Sequence, residues 1–179
     1  TVTGTGSAGS GGTIANKTGA NGSNTTGVGI YLNNCANVSL TRMQLNDFSN
    51  FGIRGFTVNN FTMDNCVVNH SSGKNGDDAA TDEGSIYFGA ENPGGTNGLT
   101  GTVSITNCII EDGYENNFKI ANLSGTLSQL TMTNCTIRDN SIASPGNNGF
   151  EIRAQGSANI TADITNSTFT GNRANGIQV

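Results

Sequence analysis

Thr133-Asn134-Cys135-Thr136-Ile137 decides how this chain is read, because its plan returns at Thr106-Asn107-Cys108-Ile109-Ile110, Asp64-Asn65-Cys66-Val67-Val68 and Thr165-Asn166-Ser167-Thr168-Phe169. Thr41-Arg42-Met43-Gln44-Leu45 keeps the apolar positions and lacks the asparagine. A short alternating run precedes each unit: Val38-Ser39-Leu40, Phe61-Thr62-Met63, Val103-Ser104-Ile105, Leu130-Thr131-Met132 and, more weakly, Ala162-Asp163-Ile164. Apolar, polar, apolar is the period of a strand. Asparagine tolerates a left-handed backbone and bonds its own neighbours, so it can turn one strand into the next. The unit reads as strand, Asn corner, strand.

Working outward, a second landmark lies upstream of each unit: Gly29-Ile30-Tyr31-Leu32, Gly52-Ile53-Arg54-Gly55, Ser85-Ile86-Tyr87-Phe88, Asn117-Phe118-Lys119-Ile120, Gly149-Phe150-Glu151-Ile152 and Gly176-Ile177-Gln178-Val179. An ungapped offset of 23 (53 − 30) lays Ile53 on Ile30, Val58 on Cys35, Phe61 on Val38, Cys66 on Met43 and Val68 on Leu45. Later offsets are 33 (86 − 53), 32 (118 − 86), 32 (150 − 118) and 27 (177 − 150), and the excess falls in Gly, Asn, Ser and Asp-rich stretches. Insertions go to loops while the strand frame is kept, which is how stacked coils vary. The repeat predicts three strands per coil, each stacked in register on its equivalent, with interior columns such as Ile30, Ile53, Ile86, Phe118, Phe150 and Ile177.

Composition agrees with an ordered all-β chain. Twenty-six glycines and 12% charged residues among 179 could suggest disorder, but the apolar residues are strictly spaced. Helical periodicity is not sustained, and no apolar run approaches the length of a membrane span. That absence argues against membrane insertion, and a net charge of −5, no basic cluster and no Trp argue against nucleic acid or an anionic membrane surface as partner. Cys66, Cys108 and Cys135 share one column with Met43 and Ser167, which reads as a small core filler. At a coil spacing of about 4.8 Å a Cys66 to Cys108 bridge remains open, although stacked side chains run parallel rather than facing each other.

One domain is expected over residues 1–179, with an incomplete first coil at 1–26 and long loops at 71–84 and 89–101. The chain starts and stops inside the repeat, which predicts a window of a longer chain whose targeting signal lies outside it. The Gly-Ile-x-Leu strand, the Asn corner and the Thr-Phe-Thr-Gly-Asn ending at Thr168 to Asn172 resemble the right-handed parallel β-helix repeat family, the architecture of pectin lyases. Among its members the chain is most similar to the Thr/Asn/Gly-rich repeats of very large secreted bacterial surface proteins. The resemblance implies a right-handed, single-stranded parallel β-helix of about six coils, open at both ends. It also implies a secreted or cell-surface location.

Candidate chemistry sits on the strand that opens each coil. Its outward residues stack as Tyr31, Arg54, Tyr87, Lys119, Glu151 and Gln178, with Arg153 in the next column. Aromatic platforms beside Arg, Lys and Glu suit a sugar chain, with the long loops walling a groove; the plainer reading is a mixed ladder that solubilises an exposed sheet face. Asp77, Asp78, Asp82 and Glu83 offer hard oxygen ligands for calcium, at spacings that match neither the EF-hand nor the nonapeptide calcium repeat, so a solvated acidic loop is the plainer alternative. His70 falls on a corner where other coils carry Asp47, Asp112 and Asp139, and reads as a turn residue. No catalytic set is recognisable. Of the polygalacturonase-like residues only Asp77-Asp78 has a counterpart, and the pectate-lyase-like Arg-x-x-Pro-x-x-Arg is absent. The expectation is therefore a non-catalytic structural segment, acting as rigid spacer, adhesive surface or end-to-end assembly unit. The alternative is a domain that binds or degrades polysaccharide.

Overall fold

The computed structural model describes residues 6–73, 82–90, 97–140 and 147–179. Coil by coil the strands are β1 (Gly12–Lys17); β2 (Val28–Thr41) and β3 (Met43–Phe48); β4 (Phe51–Asp64) and β5 (Val67–Ser72); β6 (Ile86–Phe88), β7 (Leu99–Thr106) and β8 (Ile109–Glu111). They continue with β9 (Phe118–Asn122), β10 (Thr126–Thr133) and β11 (Thr136–Arg138); β12 (Phe150–Ala154), β13 (Asn159–Thr165) and β14 (Thr168–Thr170); and β15 (Ile177–Gln178). Every pairing is parallel, and the described residues contain no helix.

One sheet runs β1-β3-β5-β8-β11-β14. The other runs β13-β10-β7-β4-β6-β9-β12-β15, with β2 on β4. This second sheet is two faces of the solenoid joined through β4, whose Ile53–Gly55 pairs with β6 and whose Val58–Asp64 pairs with β7. The three strands expected per coil are thus present, but in the coils of β2 and β4 the first two run together as one bent strand. The bends fall at Asn34 and Asn37 in β2 and at Thr57 and Asn60 in β4, all with positive φ. β7 begins at Leu99, so the second long loop ends three residues earlier than the sequence suggests.

The interior columns are in register as expected. Ile30, Ile53, Ile86, Phe118, Phe150 and Ile177 are successive partners on the first face. Ile14, Leu45, Val68, Ile110, Ile137 and Phe169 are partners on the third. Burial is complete in the middle coils, where Ile53, Leu45, Val68, Ile110, Phe118 and Ile137 have no exposed surface. Each such side chain contributes on the order of 1.5–3 kcal/mol, which offsets the ordering of a glycine-rich chain.

Both corners of the third face are built from left-handed residues. Arg42, Asn65, Asn107, Asn134 and Asn166 have φ of 57°, 53°, 54°, 56° and 49°. At the other corner Asn16, Asp47, His70, Asp112, Asp139 and Gly171 lie between 55° and 65°. His70 occupies the turn position read from the sequence: its backbone N–H donates to Asp112 Oδ2 at 3.0 Å and its Nδ1 lies 3.8 Å from Asp47. Residues with short polar side chains adopt this backbone at the lowest cost. Asn134→Ala is therefore expected to cost about 1–2 kcal/mol in urea unfolding, and Asn134→Gly clearly less.

The asparagine ladder ends on Asp64. Its carboxylate accepts from Thr106 Oγ1 at 2.7 Å, Asn65 Nδ2 at 2.9 Å and Asn107 Nδ2 at 3.1 Å. Led by the Thr106 bond, these contacts hold the Asp64 carboxyl below its ordinary range although burial opposes them. With a folded pKa below the unfolded one, the stabilisation is complete above about pH 4 and is lost as pH falls through the lower folded value. Asp64→Asn should therefore lower stability at neutral pH and show a shallower acid limb, measured by urea unfolding across a pH series.

All four cysteines are free, which settles the open Cys66 to Cys108 question. The column has a second use beyond filling space. Met43 N–H donates to Cys66 Sγ and Cys66 N–H to Cys108 Sγ, both at 3.4 Å, and Cys135 N–H to Ser167 Oγ at 3.1 Å. The position takes Cys or Ser because the coil below presents a corner N–H that needs a small acceptor. Contacts with Cys135 and Cys66, together with burial, push the Cys108 thiol well above its ordinary value.

Candidate functional site

The register stacks the outward residues of the opening strand as the repeat requires: Tyr31 on Arg54, Arg54 on Tyr87, Tyr87 on Lys119, Lys119 on Glu151 and Glu151 on Gln178. Their exposure is the surprise. Arg54, Tyr87, Lys119 and Glu151 are 2%, 4%, 3% and 2% exposed, so this face is not the open surface that alternation suggests. Tyr31 at 41% and the Arg153 side chain at 39% are the only two of the six candidates that reach solvent.

Two segments lie over the strand. The stretch between β1 and β2 is tied down by Asn50, whose Nδ2 donates to Ala20 O at 3.0 Å and Thr26 O at 2.6 Å, and by Gly22 N–H donating to Glu83 Oε1 at 2.9 Å. The stretch before β6 brings in Asp82 and Glu83, which are 8% and 0% exposed. Of the four carboxylates considered for calcium, these two turn inward to protein partners, and Asp77 and Asp78 lie outside the described residues. Among the described residues no group of three or more His, Cys, Asp or Glu side chains has the arrangement of a metal site.

Under this cover Arg54 is clamped between aromatic rings. Its guanidinium carbon is 4.0 Å from the Phe56 ring centroid and 4.1 Å from that of Tyr87, with Phe51 at 5.2 Å. Its Nε donates to Asn24 Oδ1 at 2.7 Å and a terminal nitrogen to Tyr87 O at 3.1 Å. Burial pulls Arg54 down to about 10, and the attraction of Tyr87 and Asp82 limits the fall. Ring faces substitute for water around a cation that packs flat against them.

One coil further on, Lys119 Nζ contacts Asp82 Oδ2, lies 3.4 Å from Glu151 Oε1 and 5.3 Å from the Tyr87 ring centroid. Burial acts to lower the Lys119 pKa, but Asp82, Tyr87 and Glu151 outweigh it and hold the ammonium above its ordinary value. Asn116 Nδ2 donates to Asp82 Oδ1 at 2.9 Å, Asn148 Nδ2 to Glu151 Oε2 at 3.0 Å, and Arg153 Nε to Glu151 Oε1. Asn116 and Asn148 are linked in turn, Asn148 N–H donating to Asn116 Oδ1 at 3.0 Å.

The arrangement is a sealed polar layer in which cations, carboxylates, amides and rings satisfy one another. The column from Tyr31 to Gln178 was legible from the repeat, but Asn24, Asn116, Asn148 and the role of Asp82 were not, because these residues lie in connections that the repeat does not place. A run such as Glu115-Asn116-Asn117, entirely buried yet entirely polar, could have hinted at it only once burial was known.

An open cleft of about 580 Å³ lies at the first coil, walled by Ile14, Ile30, Tyr31, Leu32, Val38 and Leu40. Its lining is the half-covered top of the core columns, not a set of converging polar groups. Comparison with known proteins adds the family. No curated protein and no solved structure gives a significant match. The profile of the right-handed β-helix region, in contrast, matches residues 4–179. With that match over nearly the whole length, and with parallel strands stacked coil on coil, the chain belongs to the right-handed β-helix family.

Proposed function

We propose that this chain is a non-catalytic structural segment, a rigid spacer in a secreted or surface-displayed protein that holds its loops outward for adhesion or assembly. One observation carries the reading: the outward column that could have met a ligand is spent internally, with Arg54, Tyr87, Lys119 and Glu151 buried and paired within the fold. A solenoid whose first face is buried on both sides resists bending better than one with an open face. The same reading includes end-to-end assembly with further coils.

Polysaccharide binding is the second reading, and what favours it is Tyr31, which stays exposed beside Phe56 with ring centroids 6.3 Å apart. Isothermal titration with acidic and neutral oligosaccharides separates the two. The spacer reading expects no heat beyond dilution. Saturable heat that disappears in Tyr31→Ala and survives a change in a distant loop would replace it with the glycan reading. Native-state hydrogen exchange gives the positive test: amides of β4, β6, β9 and β12 should exchange together, at the slowest rate in the molecule. Fast, independent exchange of β6 and β9 would mark a gate and contradict a rigid spacer.

A further inference from the structure

The Lys119 contact contains more than an ion pair requires. An amine and a carboxyl group touch inside a space sealed from water, with Lys119 3% and Asp82 8% exposed. A second carboxylate, Glu151, stands 3.4 Å from the same nitrogen and is itself 2% exposed. The oxygen of Asp82 that does not face the lysine accepts a hydrogen bond at 2.9 Å from Asn116, a buried amide. After a proton shift within the contact these would be a nucleophile, an electrophile, a proton carrier and an oxyanion donor, drawn from three successive coils.

We propose that Lys119 and Asp82 condense to an intramolecular amide, covalently fastening the segment before β6 to strand β9, with Glu151 carrying the proton and Asn116 holding the developing oxyanion. The proposal stands on these four residues alone and is independent of the spacer reading.

The chemistry balances without an oxidant or co-reactant. Within the contact the Lys119 ammonium hands one proton to Asp82 Oδ2, giving a neutral amine beside a neutral acid. Lys119 Nζ then forms a bond to Asp82 Cγ, and the electron pair of the carbonyl moves onto Oδ1, where the Asn116 amide N–H stabilises it. Glu151 Oε1 takes a second proton from the nitrogen and passes it to Oδ2. The Cγ–Oδ2 bond breaks and water leaves. Of the three ammonium protons, two depart with Oδ2 and one remains on the amide.

Three physical terms favour the product. Holding the two groups in contact removes the entropy cost of bringing them together. Condensation eliminates a pair of buried charges, which burial penalises, and releases water to bulk. The product keeps its hydrogen bonds, since Glu151 can accept from the new amide N–H and Asn116 can donate to its carbonyl. Glu151 is itself held in place by Asn148 and Arg153.

The test is the intact mass of the folded full chain followed by peptide mapping. The expected mass is lower than that of the sequence by one water molecule. Trypsin is expected not to cleave after Lys119, and fragmentation is expected to show a branched peptide joining the Asp82 and Lys119 segments. Lys119→Met and Asp82→Ala should both return the full mass. Glu151→Gln, with an unchanged circular dichroism spectrum, should accumulate the uncondensed mass, its conversion slowed at least about tenfold by loss of the proton carrier. The wild-type measurement decides the matter even if a variant fails to fold. A folded wild-type chain of full mass that yields a linear peptide ending at Lys119 overturns the proposal, as does a water loss that maps to any other residue. Condensation in Glu151→Gln at the wild-type rate overturns the role given to Glu151.

Discussion

Lys119→Met is expected to lower the stability of the chain by about 3–5 kcal/mol at neutral pH, because it leaves Asp82 and Glu151 as buried carboxylates without the nitrogen that partners both, whether that nitrogen is ion-paired or joined to Asp82 as an amide. Asp82 and Glu151 both meet the Lys119 nitrogen, and neither has solvent to retreat to. The methionine keeps the volume, so the loss reports the missing Lys119 partner rather than a cavity. A further measurement distinguishes this account from simple misfolding. The double variant Lys119→Met with Asp82→Leu should recover most of the loss, since an apolar replacement removes the desolvation cost and Glu151 retains Arg153 and Asn148. A urea midpoint for Lys119→Met equal to that of the parent would show that the buried pair contributes nothing.

Phe118→Ala carries the second large effect. Phe118 is fully buried in the middle of an aromatic column, stacked on Phe150 with centroids 4.8 Å apart and planes at 6°, and edge-on to Phe88 at 6.4 Å. Truncation removes the packing on both sides, and coils above and below are pinned by their hydrogen bonds and cannot collapse into the space. The expected loss is about 3–5 kcal/mol, with Phe118→Leu costing roughly half of it. Phe169, half-buried in the last full coil, is the control: truncation there should cost markedly less. Equal losses at the two sites in urea unfolding would mean that the column does not confer stability through its stacking.

The two sites show where a repeat sequence is readable and where it is not. Phe118 could be placed from the chain alone: it stands at offset 32 (118 − 86) from Ile86 and 32 (150 − 118) from Phe150, and the fold makes both its partners. Asn107 could be placed the same way, since an invariant corner backbone demands a residue that accepts positive φ. Lys119 could be placed only in part. Its column was legible and its surroundings were not, because alternation gives which side of a strand a residue is on and is silent on what lies beyond that side. The expectation of an exposed, ligand-facing ladder at Tyr31, Arg54, Tyr87, Lys119, Glu151 and Arg153 followed from treating outward as solvent-facing. For four of the six that equation fails.

By itself, then, the sequence determined the coils, their register, the corner residues and the composition of each interior column, since all of these are local periodicities repeated at short range. The tertiary structure decided that the segment holding Asn24 and the one holding Asp82 and Glu83 fold back over the opening strand, turning a polar outer face into a second, charged interior. No period encodes that choice. It depends on a few long-range contacts, Asn24 to Arg54 and Asp82 to Lys119, whose partners lie 30 and 37 residues apart and gain their strength only once water has been removed from both.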